Sequence, residues 1–271
     1  MVVICGSNWK GEKCVYFLNN YLRRTLDDIK KVVSKKDFDY VALVCGMPGL
    51  GKSNFSINCC KYLDNNFTID NICFTADDFI EKSTNMNKGS AIMLDESFAS
   101  LNSRISNTTE FLRILNHIQI IRQKNLYIFL CLPNFFDLQK SIAIYRSRHL
   151  FVVYAEKFGD RGRFVAFGFD EKKDLYIKGL KFMNYNCVSA NYSGTFCKQK
   201  AINEVDYINR KHLHLQQMDL KLGRSKTKIH NQRDILINYL HNDCNTSLKL
   251  ISDMIKLSIP NLYRIIQNQR Q

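Results

Sequence analysis

The stretch "GMPGLGKSN" has the residue types and the spacing of a loop that holds phosphate groups. It fits the pattern G-x-x-x-x-G-K-[ST], in which glycines let backbone N–H groups turn inward around phosphate oxygens. Lys52 would reach the β- and γ-phosphates of a bound ATP, and the hydroxyl of Ser53 would ligate Mg²⁺. The residues expected to bind the nucleotide are Gly46, Gly49, Gly51, Lys52, Ser53 and Asn54.

Two adjacent carboxylates, Asp95 and Glu96, follow the apolar segment "AIML" further along the chain. An acid at the carboxyl end of a strand in a parallel sheet points into the crevice where ligands bind. Asp95 then suits the carboxylate on the Mg²⁺ side of the site, and Glu96 suits a base that orients and polarises water. The alternative interpretation is a solvated acidic pair that caps a helix.

The elements around the glycine-rich loop are those that a phosphate site requires. A predicted strand at 40–45 precedes the loop, and a predicted helix at 52–63 follows it. Because strands alternate with helices along the chain, we predict an α/β domain with a three-layer, mostly parallel sheet. The other predicted elements are strands at 69–75, 91–96, 126–132 and 149–155, helices at 15–33 and 107–123, and a hairpin of 163–169 with 175–180.

The loop, the acidic pair and the strand predicted between them resemble the P-loop NTPases over roughly residues 39–155. The pattern is similar to the division with an additional strand and a catalytic glutamate, in which the AAA+-like and the zonula-occludens-toxin-like, DNA-pumping branches share this motif order. The resemblance implies Mg²⁺-dependent ATP hydrolysis with catalytic roles for Lys52 and Glu96. It also implies a polar contact to the γ-phosphate from Asn134, although the Pro-Asn sequence there is also typical of a turn without such a contact.

The AAA+ resemblance further implies an arginine finger that one subunit presents to its neighbour's ATP. Arg146 and Arg148 lie between a predicted helix and the fifth predicted strand, where that family carries the finger. A guanidinium there would neutralise charge that develops on the γ-phosphoryl group. Arg104 and Arg122 are rivals, and arginines at helix ends also serve simply as partners of the helix dipole. We therefore expect a homo-oligomer, such as a ring, with ATP sites between subunits.

The net charge of the 271-residue chain is +14, which is high for a protein of this size. Such a charge favours a polyanionic partner, with nucleic acid first and an anionic membrane surface second. The alternative is a genome rich in A and T, which increases the content of Lys, Asn and Ile without any selected partner.

The ten cysteines form no C-x-x-C pair, so the spacing of a zinc ribbon is absent. Cys45, Cys73 and Cys131 lie in apolar runs and are expected to be small core residues, which favours a reducing, cytoplasmic setting. The apolar run at the N-terminus is too short for the core of a signal peptide, and "LYIFLCL" is too short to cross a bilayer.

The composition changes near residue 197. We predict a P-loop ATPase domain at 1–197, a polar helix and basic linker at 198–232, and a helix-turn-helix module at 233–271. The segment 251–266 resembles the helix-turn-helix of resolvase-type and repressor DNA-binding domains, although the family's tight turn carries Gly where this chain has Lys256. A plain helical hairpin for self-assembly is the alternative. The resemblance implies DNA contacts from Pro260, Asn261, Arg264 and Gln267.

These features together favour an ATPase that acts on DNA, in translocation, packaging, transfer or replication-associated remodelling, as in viral or mobile-element systems. One alternative is a DNA-binding regulator that ATP switches between conformations with little turnover. A P-loop kinase is a third possibility, but the pair of Asp95 and Glu96 argues against it.

Overall fold

A seven-stranded sheet organises the first part of the chain. The computed structural model describes residues 2–7, 13–95, 109–157, 159–197 and 201–268. The strands are β1 (Val2–Ser7), β2 (Lys13–Leu18), β3 (Tyr40–Cys45), β4 (Ile72–Cys73), β5 (Ala91–Leu94), β6 (Tyr127–Leu132), β7 (His149–Tyr154), β8 (Arg163–Phe167) and β9 (Tyr192–Thr195). The α-helices are α1 (Asn20–Lys36), α2 (Lys52–Leu63), α3 (Ala76–Asn85), α4 (Thr109–Ile120), α5 (Phe169–Gly179), α6 (Glu204–Asn238), α7 (Leu248–Ile255) and α8 (Ile259–Asn268).

The strand order in this sheet is β4-β5-β6-β3-β7-β8-β9. The five strands from β4 to β7 pair in parallel, whereas β8 and β9 extend the edge in antiparallel fashion. β1 and β2 pair only with each other, as a two-stranded antiparallel sheet. The predicted α/β class with a mostly parallel sheet is confirmed.

Both faces of the parallel sheet are buried, because its strands are continuous apolar runs. In β3, Ala42 and Val44 pack into a core that includes the apolar faces of α1 and α2. Val41 and Leu43, on the opposite face, pack into a second core with residues of α3, α4 and α5. Helices on both faces of a sheet are the three layers that the sequence predicts.

β3 and α2 begin and end at the predicted residues, so the glycine-rich loop connects a buried strand directly to a helix. The predicted strand at 69–75 is shorter, since Ile69–Asn71 form a 3₁₀ turn and only Ile72–Cys73 pair in the sheet. β5 ends at Leu94, immediately before Asp95.

Two predicted elements differ from the structure. The predicted helix at 15–33 begins later, because 15–18 belong to β2 and Asn19 caps α1 by accepting from the N–H groups of Tyr21 and Leu22. The predicted hairpin of 163–169 with 175–180 is strand β8 followed by helix α5. The buried positions of α5, which are Lys172, Leu175, Tyr176 and Gly179, recur at helical spacing.

The segment 223–232, which we predict to be a linker, is helical, because α6 runs through it without a break. This stretch contains no proline, the residue that is least compatible with a helix interior. A helix that is polar all round has no apolar period by which to recognise it. The structure divides the chain into two compact units, Met1–Ile208 and Asn209–Gln271, so the boundary lies inside α6.

The second unit contains α7 and α8, which are joined by a three-residue turn. Lys256 ends α7 in the left-handed conformation, with φ of 54°. Ile251, Leu262 and Ile266 form a small buried core with Ile237 of α6. Two short helices with a tight turn are therefore shown, and their role in DNA binding remains a proposal.

The predicted burial of Cys45, Cys73 and Cys131 is confirmed, and the eight cysteines whose side chains the structure describes are free thiols. Within the same residues there is no cluster of His, Cys, Asp and Glu that could hold a metal ion. No helix among them is long and apolar enough to cross a membrane.

Candidate nucleotide-binding site

The loop between β3 and α2 has the backbone of a phosphate cradle. Gly46, Gly49 and Gly51 have φ values of 147°, 81° and 99°, in the region that favours glycine. At Gly46 a Cβ atom would lie 2.3 Å from the carbonyl oxygen of Val153, so β7 leaves no space for a side chain there. At Gly49 no atom lies within 4 Å of such a Cβ, so the tip of the loop is open.

Lys52 lies at the start of α2 with its ammonium group inside the loop. Its Nζ donates to the carbonyl oxygens of Gly46 (2.8 Å) and Met47 (3.1 Å), and the residue is only 3% exposed. α2 starts at Gly51 without a side-chain cap, and the N–H groups of its first turn carry partial positive charge. A buried cation and a positive helix end in one open loop form an environment for an anion.

Ser53, the next residue of α2, contacts the predicted metal-side carboxylate. Its Oγ donates to Oδ1 of Asp95 at 2.7 Å, and Asp95 is 1% exposed. The sheet brings the two together, because β6 pairs with both β3 and β5 in parallel and their carboxyl ends meet at one edge. The strand that lies between the loop and the acid in the sheet is β6 rather than β4, which occupies the edge.

The second oxygen of the same carboxylate accepts a hydrogen bond from a tyrosine that the sequence did not indicate. Oη of Tyr207, from the first turns of α6, donates to Oδ2 of Asp95 at 2.5 Å. Burial and the adjacent carboxylate raise the pKa of Tyr207 far above its ordinary value, so this phenol remains a donor. Residue 207 lies beyond the segment that resembles a nucleotide-binding domain, and tyrosine is part of no phosphate motif.

Asn134, two residues beyond β6, lies at the same edge of the sheet. Its Oδ1 accepts from Oη of Tyr185 (2.8 Å) and from the N–H group of Phe136 (3.4 Å). Because the oxygen accepts these two bonds, the amide NH₂ group points away from both donors. Its nitrogen lies 3.8 Å from Sδ of Met183, which is a weak hydrogen-bond acceptor. The orientation of the Asn134 amide is therefore fixed by a side chain, Tyr185, that the sequence did not indicate either.

Arg146 lies at the opposite edge of the sheet, where β3 begins. Its guanidinium forms a two-point ion pair with Asp39, directly before β3, and Nη2 also donates to the carbonyl oxygen of Ile118 at 2.8 Å. The side chain of Asp39 is 5% exposed and that of Arg146 is 19% exposed. The structure thus gives Arg146 a structural role within its own subunit.

Arg148 lies at this same edge but is exposed. Its guanidinium carbon is 5.9 Å from the ring centre of Phe38 and 5.6 Å from that of Phe169. Burial and repulsion by Lys172 and Arg148 lower the pKa of the neighbouring His149 to about 4. Neither Arg148 nor Arg146 lies near Lys52 of the same chain, because the parallel strands separate the two edges.

The segment after β9 lies beside the phosphate loop, although the sequence placed a domain boundary there. A Cβ atom at Gly51 would lie 3.2 Å from the ring of Phe196. Nδ2 of Asn54 donates to the carbonyl oxygen of Cys197 at 2.8 Å, so this side chain faces the protein rather than the loop. Any contact from Asn54 to a nucleotide is therefore left to its backbone.

The remaining predicted residues lie outside the described residues or in helix α8. Glu96 and Arg104 lie outside the described residues. Pro260 and Asn261 are exposed in the first turn of α8. Arg264 and Gln267 lie in the same helix, and their side chains are outside the described part of the chain.

The chemistry of the described residues fits the binding of a nucleoside triphosphate and Mg²⁺. The donors around the loop are N–H groups and an ammonium group, which suit phosphate oxygens. The hydroxyl of Ser53 and the carboxylate of Asp95 are oxygen ligands, which Mg²⁺ prefers over nitrogen or sulfur. The glycine without space for a Cβ and the buried lysine would have no evident use in an ordinary turn.

Comparisons with known proteins add one structural likeness. No protein-family model matches the chain, and no curated protein matches it. The N-terminal domain of zonular occludens toxin from Neisseria meningitidis has a similar structure, at 16% sequence identity and a TM-score of 0.40. The alignment covers 60% of this chain and 96% of that domain. The roles of individual residues therefore depend on the geometry above and not on this likeness.

Proposed function

We propose that this chain binds ATP with Mg²⁺ and hydrolyses it. The observation that carries the proposal is the hydrogen bond from Ser53 to Asp95, formed next to a buried Lys52 inside a loop of positive-φ glycines. A hydroxyl from the start of α2 and a carboxylate from the end of β5, beside an ammonium group, provide an oxygen site for a cation next to a nitrogen site for phosphates.

Each residue of the site has a distinct task in this proposal. Lys52 and the N–H groups of the loop bind the β- and γ-phosphates and exchange the loop carbonyls for phosphate oxygens. Ser53 and Asp95 would hold Mg²⁺, which would supply charge neutralisation for the phosphates. Glu96, next in the chain, accepts a proton from the attacking water, and Asn134 donates from its amide to the γ-phosphate.

We further propose that the protein acts on DNA as an oligomer. The net charge of +14 and the exposed first turn of α8 support a DNA partner. Arg148 is the better candidate for an arginine finger, because it is exposed whereas Arg146 is held by Asp39. A finger at the edge of the sheet opposite to Asp95 can reach only a neighbouring subunit's ATP, so activity would depend on assembly.

Steady-state ATP hydrolysis, with and without single- and double-stranded DNA, tests the proposal. Lys52→Ala should abolish nucleotide binding or turnover, and Glu96→Gln should keep ATP bound while blocking hydrolysis. Ser56→Ala serves as a control on the same helix, since its hydroxyl lies in the core beside Cys131. Hydrolysis by Glu96→Gln at the wild-type rate would show that Glu96 is not the base.

The same measurements separate a motor from a switch. Turnover that DNA stimulates supports an ATPase acting on DNA. Tight binding of ATP with site-specific DNA binding and almost no turnover would instead identify a regulator. If the wild-type protein neither binds nor hydrolyses ATP in the presence of Mg²⁺, the proposed function is wrong.

DNA binding through α8 is tested with charge-matched variants. Arg264→Ala should weaken binding by roughly 1–3 kcal/mol and relax sequence preference if Arg264 contacts a base edge. Lys249→Ala removes the same charge from an exposed position of α7. It should weaken the binding of all DNA sequences only slightly. Titrations of labelled duplexes at several salt concentrations measure both effects, and equal losses in the two variants would indicate non-specific attraction alone.

A further inference from the structure

We propose that Tyr207 is a positioning residue for the metal-side carboxylate of Asp95, a role that rests on the proposed function. The two oxygens of Asp95 receive hydrogen bonds from two different helices: Oδ1 from Ser53 of α2 at 2.7 Å, and Oδ2 from Tyr207 of α6 at 2.5 Å. Two donors on different oxygens fix both the rotation of the carboxylate and its distance from the start of α2.

The donor character of Tyr207 is secured by its surroundings. Tyr207 is 5% exposed, and its Oη lies within hydrogen-bond distance of Oδ2 of Asp95. An ionised carboxylate is an acceptor only, so the proton of this hydrogen bond belongs to the tyrosine. The phenol therefore stabilises the charged form of Asp95, which is the form that binds a cation.

The start of α6 is itself held against the helix that carries Ser53. The N–H group of Ala201 donates to Oδ1 of Asn58, in α2, at 2.9 Å. Ala201 and Ile202 are buried in the same core as the inner face of α2, and the ring of Tyr207 lies 6.3 Å from that of Phe74. α2 thus sets the position of Ser53 directly and that of Tyr207 through the segment before α6.

This arrangement predicts a specific dependence on metal. Residues that hydrogen-bond a metal ligand orient it, and their loss weakens metal affinity by about 10- to 100-fold. Without the phenol hydroxyl, Asp95 keeps Ser53 as a donor but loses the contact that stops it from turning. The Mg²⁺ concentration needed for half-maximal binding should therefore rise. The affinity for ATP without metal should not change, because Lys52 and the loop are not altered.

Tyr207→Phe tests the role, because it removes only the hydroxyl and keeps the ring beside Phe74. Fluorescent ATP analogue binding is measured in EDTA and across a Mg²⁺ titration, and turnover is measured over the same Mg²⁺ range. Tyr192→Phe is the matched control, since the hydroxyl of Tyr192 is also in a partly buried hydrogen bond, to Thr25, in the same unit. We expect a Mg²⁺ midpoint raised about tenfold in Tyr207→Phe alone, with unchanged affinity in EDTA.

The effect must also pass through Asp95. In an Asp95→Asn background, Tyr207→Phe should have no further effect on the Mg²⁺ midpoint, whereas a general loss of structure would add to it. An unchanged or lowered midpoint in Tyr207→Phe overturns the positioning role, and so does a loss of affinity in EDTA. Failure of the wild-type protein to bind the analogue under any condition would overturn the proposed function itself, which is a different and recognisable result.

Discussion

Replacing Arg146 by alanine tests whether this arginine holds the fold rather than a neighbour's phosphate. Arg146→Ala removes the two-point partner of Asp39 and the donor to the carbonyl oxygen of Ile118. Asp39 would remain with a side chain that is 5% exposed in the native structure, at the entrance to the central strand β3. A carboxylate that is buried without its cation is strongly unfavourable.

The size of the effect follows from that burial. Breaking a buried ion pair by removing one partner costs about 3–5 kcal/mol. The side chain of Arg146 is 19% exposed, so the pair is only partly shielded from water. We therefore expect a loss of about 3 kcal/mol in the free energy of unfolding, at the lower end of that range. For a unit of this size, 1 kcal/mol shifts the unfolding midpoint by about 2–4 °C, which predicts a decrease of about 6–12 °C. Arg148→Ala, at an exposed position that contacts two aromatic rings, should cost about 1 kcal/mol or less.

Differential scanning calorimetry and urea denaturation measure these losses in the full chain. Asp39→Leu combined with Arg146→Met should recover more than half of the lost stability, because neither charge then remains buried. ATP turnover, measured well below the midpoint, should be close to wild type in Arg146→Ala and low in Arg148→Ala. A wild-type midpoint in Arg146→Ala would refute the structural role, and a selective loss of turnover in that variant would restore it as a finger candidate.

Two further predictions concern residues that the sheet holds in unusual environments. Burial lowers the pKa of Lys172 to about 7, below its ordinary value, so between about pH 7 and 10 the unfolded chain binds more protons and stability should rise with pH. Urea denaturation across this range measures the slope, which Lys172→Met should flatten, and equal slopes would contradict the assignment. Gly46→Ala places a Cβ against the carbonyl oxygen of Val153 and should cost about 2–5 kcal/mol. Gly49→Ala, at φ of 81° and with open space around the new Cβ, should cost only about 1–2 kcal/mol, and equal midpoints in the two variants would contradict this difference.

The central part of the fold was predictable because local and tertiary signals agree there. β3 is a continuous apolar run, and the glycines after it allow only a turn, so the strand, the loop and α2 follow from local chemistry alone. The contact of Ser53 with Asp95 follows from parallel pairing, since a polar residue after each strand must lie at one edge.

The errors have a common physical cause, which is that short or wholly polar segments take their structure from distant contacts. The segment 175–180 has strand-forming residues, but Lys172, Leu175 and Tyr176 bury a helical face against the sheet. Nζ of Lys172 lies 2.8 Å from both the carbonyl oxygen and Oγ of Ser147. No local sequence pattern predicts these contacts. Residues 223–232 are helical without an apolar period, so the sequence offered no basis for distinguishing a helix from a linker.

Two tyrosines that follow the parallel core in sequence explain why the site extends beyond the recognisable motif. Tyr185 donates to Asn134 and Tyr207 donates to Asp95, and each phenol thereby orients a polar residue at the end of a parallel strand. Strand ends are loops, which allow side chains several rotamers, whereas hydrogen bonds to buried phenols select one. The motif supplies the reacting groups, but their orientation depends on the later segment that contains Tyr185 and Tyr207. For this reason we expect substitutions in that segment to alter metal dependence or phosphate contact without altering the phosphate loop itself.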